Sequence, residues 1–141
     1  MSKLTALFCC LGMCAALAGC GNSKYKGEQR YPLEGEVTFE GAPIDLGSIS
    51  FIPEGDKGRI SGGVITDGKY AVPEETGANA GTYRVEIRWL KRTGRRLKDA
   101  ESGEMYDERR EALPDSLHKV SKMTVEVPLP ENRHDFKLKS S

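Results

Sequence analysis

A chain of 141 residues has room for one domain, and its 21 Lys+Arg balance 21 Asp+Glu. That balance excludes the strong basic excess a nucleic-acid partner calls for, and it gives no general steering of an acidic substrate. The 4 cysteines suggest a disulfide framework only until they are placed: Cys9, Cys10 and Cys14 fall in one apolar N-terminal run, and Cys20 alone follows it.

Met1-Ser2-Lys3 is a short basic start, and Leu4 to Ala16 is an uncharged apolar run. A run of that length suits the apolar region of a signal peptide and is shorter than the roughly 20 residues a bilayer span needs. Leu17-Ala18-Gly19-Cys20 follows. Small residues ahead of a cysteine fit a narrow protease site, and the cysteine thiol can accept a diacylglyceryl group. This stretch resembles the bacterial lipobox. Residues 1–19 are therefore read as a helical lipoprotein signal peptide and Cys20 as the lipidation site, which makes a lipid membrane the first expected partner. Two acyl chains anchor a protein stably where one is marginal. Gly21 stands where an acidic residue would retain a lipoprotein at an inner membrane, which favours the outer membrane. Residues 20–31 (CGNSKYKGEQRY) are polar, lack an apolar period and read as a flexible, lipidated tether.

From residue 32 to 141 the reading is a single β domain without an internal disulfide. Apolar residues alternate with period two, the mark of half-buried strands. Val37 and Phe39 share a face in LEGEVTFE, Ile49 and Phe51 in SISFIP, and Tyr70 and Val72 in KYAVP. RISGGVIT is a weaker strand whose Gly62-Gly63 implies a bulge or a close backbone approach. Tyr83, Val85, Ile87 and Trp89 make the longest alternation; Met123, Val125 and Val127 follow, then Phe136 and Leu138. Turn chemistry separates these runs at Glu40-Gly41-Ala42-Pro43, at residues 53–58 and at Asp67-Gly68, a two-residue turn whose residues tolerate positive φ. Seven short strands with regular turns predict an all-β, antiparallel Greek-key sandwich, expected to be monomeric.

One stretch departs from the pattern. Lys91 to Ser116 is highly charged and carries no period-two signal, so it reads as a long loop, the kind that tends to be functional or disordered. Within it Tyr106 to Leu113 (YDERREAL) holds good helix formers ahead of Pro114, which predicts a short helix.

The segments GEVTFEGAPI (35–44), GSISFIP (47–53), TDGKY (66–70) and GTYRV (81–85), with DFKL (135–138) at the end, resemble carboxypeptidase regulatory-like domains. These are transthyretin-like, or prealbumin-like, seven-stranded sandwiches, and small bacterial lipoproteins carry one after a lipobox. The resemblance covers about residues 33–139. It implies a fold and a non-enzymatic role, and it carries over no catalytic residue or cofactor.

Chemistry is sparse in the remaining residues. His118 and His134 stand in no zinc-ligand spacing and read as surface residues near strand ends. Acidic clusters around Glu54-Asp56, Glu74-Glu75 and Glu101–Glu108 lack the ordered oxygen positions of a calcium loop. Arg84, Arg88, Lys91, Arg92, Arg95, Arg96 and Lys98 form a local basic excess. One reading is a contact patch for an anionic envelope polymer or lipid headgroups; the other is a sandwich exterior plus a loop neutralised by the acids at 99–111. Trp89 is either a sugar-stacking platform or a cap on the core. The expected partner contact is Arg88, Trp89, Arg92, Arg95 and Arg96, on an unidentified envelope protein or polymer, with no metal and no catalytic residue.

Overall fold

The computed structural model describes residues 27–140. The signal segment, the lipobox Leu17–Cys20 and most of the tether lie outside the described residues.

The alternating segments become strands because each places its apolar side chains on one face. Strand β1 (Leu33–Phe39) buries Leu33 and Val37. At Glu40-Gly41 both residues take positive φ (50° and 81°), and the chain turns back into β2 (Ala42–Pro43). Such a turn matches the right-handed twist of its flanking strands. Strand β3 (Leu46–Pro53) pairs with β4 (Ser61–Thr66), and Asp67-Gly68, with φ of 50° and 76°, closes the hairpin into β5 (Lys69–Val72). Gly62 meets the Ile49 carbonyl where a Cβ would collide, so the expected close approach is present. Strand β6 (Gly81–Lys98) is the longest, followed by β7 (Met105–Glu111), β8 (Thr124–Val127) and β9 (Phe136–Leu138).

The fold is all-β. Hydrogen bonding joins the strands into one open sheet in the order β2-β1-β5-β4-β3-β6-β7, with β8 beside the start of β6 and β9 beside the end of β1. The β1–β9 pair is parallel, a departure from the antiparallel expectation. Ile49, Phe51, Ile65, Tyr70, Tyr83, Val85 and Ile87 fill the core between these strands, joined by Val125, Val127, Phe136 and Leu138. A one-residue slip would turn every one of them to solvent, so burial fixes the register.

All seven expected strands are present, and β2 and β7 are additional. Lys91–Ser116 is not a loop: its first part continues β6 and its middle is β7, paired back along β6 from Leu90↔Glu111 to Lys98↔Met105. Tyr106–Leu113 is accordingly not helical. Pairing with β6 overrides the helix preference of its residues. The last residues of the expected tether, from Gly27, are among those described. Tyr31 bridges Ala78, and Asn79 Nδ2 donates to the Gln29 carbonyl at 3.0 Å, so the residues just before β1 are strapped onto the domain. His118 is buried, at 1% exposure, rather than on the surface. It sits after a 3-10 turn (Asp115–Leu117) and 3.1 Å from the Leu113 carbonyl through Nε2. That bond calls for the proton on Nε2 and leaves Nδ1 buried without a partner. His134 is exposed, as expected.

Candidate functional site

Strand β6 changes character at Trp89. Before it, Tyr83, Val85 and Ile87 are buried; after it, every residue from Leu90 to Arg96 is exposed. The chain stays extended because β7 pairs with it, forming a two-stranded arm of the sheet that runs past β3. A bulge between Arg92 and Arg96 breaks the register, with Gly94 at φ 84°. At the far end Asp99 closes the turn. Its Oδ1 accepts bonds from Glu101 N (3.0 Å), Ser102 N (2.7 Å) and Ser102 Oγ (3.0 Å), and these hold its carboxyl below the ordinary range.

The arm's root is pinned by one carboxylate. Glu111 Oε1 accepts from the backbone N–H groups of Trp89 and Leu113, each at 3.0 Å. Trp89 packs against the core and tilts against Phe39 at 6.0 Å. Its indole N–H donates to Asp45 Oδ1 at 2.5 Å, and this bond holds the Asp45 carboxyl below its usual value. Lys91 Nζ lies 5.1 Å from the indole ring centre. With Phe39, Asp45 and Lys91 gathered around it, Trp89 has the surroundings of a core cap and not those of an open stacking platform.

Of the expected contact residues, Arg92, Arg95 and Arg96 lie on the arm and Arg88 and Trp89 at its root, paired with β3, but each arginine faces an acid. Arg88 lies 3.8 Å from Glu111, Arg92 3.5 Å and Arg96 3.8 Å from Asp107, and Arg95 3.9 Å from Glu108. Arg110 also reaches Glu108, at 2.9 Å. Bonds from Thr93 and Arg110, with Arg95 beside them, hold the Glu108 carboxyl below its ordinary value. The basic excess along β6 is thus answered by acids from β7, and the arm is a charge-laced ribbon in place of a cationic patch. Its exposed apolar side chains are Leu90, Met105 and Tyr106. Sequence reasoning did not find Asp45, Glu111 or Asp99 as positioning groups. Of the three only Asp99 had a local signal, an aspartate opening a Ser-Gly turn.

Away from the arm the surface carries shallow clefts, among them one of about 370 Å³ lined by Glu36, Thr66, Lys69, Tyr70 and Arg133. Arg133 is drawn to Asp135 (3.1 Å) and Glu36 (3.5 Å) there. Among the described residues no group of three His, Cys, Asp or Glu side chains could hold a metal ion, and no helix is long and apolar enough to cross a membrane. Compared with known proteins, the chain matches no family model, no curated protein and no solved structure.

Proposed function

We propose that this protein is a non-catalytic lipoprotein of the cell envelope, anchored through acylated Cys20, that presents the β6–β7 arm to a protein partner. The anchor rests on Leu17-Ala18-Gly19-Cys20 after its apolar run, with the outer membrane favoured by Gly21. The domain reads as a transthyretin-like, carboxypeptidase regulatory-like sandwich to which β2 and the arm are additions. The seven alternating strands in their expected order support that reading.

The observation that carries the role is the exposure of half of the longest strand. A two-stranded ribbon adds little stability of its own, and ordering it costs backbone entropy. Contact with a partner accounts for an arm that the core does not need. Its alternating charges and exposed Tyr106 and Met105 suit a protein surface better than a uniformly anionic polymer.

Two measurements in the native host test the proposal. The intact mass should correspond to a chain that begins at an acylated Cys20; a chain beginning at an unmodified Met1 would end the anchor reading. Replacing residues 91–110 with Asn-Gly should leave that mass offset in place, preserve the fold and abolish crosslinking to the envelope partner. Crosslinking that survives the replacement would place the contact elsewhere.

A further inference from the structure

The outer edge of β7 has no neighbouring strand among the described residues. Its backbone polarity follows from two bonds that flank the arm's ladder. Ala112 N donates to Trp89 O at 3.0 Å, and Asp99 N donates to Glu104 O at 2.8 Å. In an antiparallel ladder the inward groups alternate. The N–H and C=O groups of residues 106, 108 and 110 therefore point toward β6, and those of Asp107 and Arg109 point out toward water. Unpaired groups of this kind are a template for another strand.

The side chains on that edge are self-complementary. From this geometry we infer that β7 pairs antiparallel with β7 of a second copy, about a two-fold axis through Glu108. Outward groups must meet outward groups, so only pairings that keep this parity can form. Centred on Glu108, Asp107 lies opposite Arg109 of the second copy, and Arg109 opposite its Asp107. Tyr106 lies opposite Arg110, an aromatic face against a guanidinium, and both are exposed. The like pair at the axis is Glu108 with itself, and each Glu108 already carries Arg110 and Arg95. Centring on Arg109 instead would oppose Arg109 to itself and Asp107 to Glu111. Centring on Asp107 would oppose Asp107 to itself and leave Arg109 facing Met105. Among the centres Asp107, Glu108 and Arg109, charge favours Glu108. The product is a four-stranded sheet, β6-β7-β7-β6, which supplies the extra strands that a lone ribbon lacks. An isologous contact of this kind closes at two copies.

This pairing stands whether or not the chain is anchored. The test uses two differently tagged full-length copies expressed together, with capture on one tag and detection of the other. The wild-type pair should co-purify. Asp107→Arg alone sets arginine against Arg109, and Arg109→Asp alone sets aspartate against Asp107; each should lower the co-captured copy about tenfold or more. The double variant Asp107→Arg/Arg109→Asp should restore capture, because the opposed charges are exchanged and remain complementary. Loss caused by damage to the arm would not be rescued in this way. Absence of wild-type capture, capture unmoved by the single changes, or a double variant that stays apart would each overturn the pairing.

Discussion

The two halves of β6 are one strand under two regimes. From Gly81 to Trp89 it pairs with β8 over its first four residues and with β3 from Tyr83 onward, and buries alternate side chains; from Leu90 to Lys98 it has β7 alone and buries none. The first half is held by apolar area removed from water, which fixes its register face by face. The second is held by ladder bonds and by pairs such as Arg92–Asp107, exposed enough that each contributes little. Regular backbone does not by itself report how firmly a segment is held.

That contrast can be broken at graded points. Phe51 lies at 0% exposure against Tyr70, and Phe51→Ala should cost about 3–5 kcal/mol in chemical denaturation, through lost transfer energy and a cavity. His118→Ala should cost less, about 1–3 kcal/mol, since it deletes a buried ring and one bond to Leu113 while also removing the unpartnered Nδ1. Acid should separate the halves next. The Asp99 and Glu108 carboxyls are held below their ordinary values, so the stability they contribute is full above the usual carboxylate range and is lost as pH falls through the lowered values. Below about pH 4, amide exchange should rise along residues 91–110 before it rises in β3 or the first half of β6. Simultaneous exchange in both halves would show that the arm and core open as one unit. Arg92→Ala should shift the unfolding midpoint by less than about 0.5 kcal/mol, and a larger loss would mean the arm is held by more than its exposed ion pairs.

The same contrast explains what could be read from the sequence. Tyr83-Val85-Ile87 announces a strand because one face is dry, and Asp67-Gly68 announces its turn because both residues must take positive φ. Leu90–Lys98 and Met105–Glu111 are wet on both faces, so no apolar period marks them, and the helix formers in YDERRE pointed the other way. The arginines were legible as a group. Their neutralisation by Asp107, Glu108 and Glu111 depends on a register that no local pattern encodes. His118 is buried from an irregular segment, where neither period applies. The strap at residues 29–31 rests on Asn79 grasping a main-chain carbonyl, a contact that leaves no trace in the identity of Gln29.

That strap has a mechanical consequence. Tyr31 is bridged to Ala78, and Asn79 N donates to the Tyr83 hydroxyl, so the chain enters the domain beside the first residues of β6. The arm's turn lies at the other end of the same strand. At roughly 3.3 Å per residue an 18-residue strand spans up to about 60 Å, somewhat less across a bulge. Whatever grips the chain ahead of Gly27 therefore grips the foot of a mast whose tip, Asp99 to Glu104, stands some tens of ångströms off. The strap thus sits by the stretch of β6, Tyr83 and Arg84, where β3 and β8 pair with the strand on both sides, and the arm's turn stands at the opposite end.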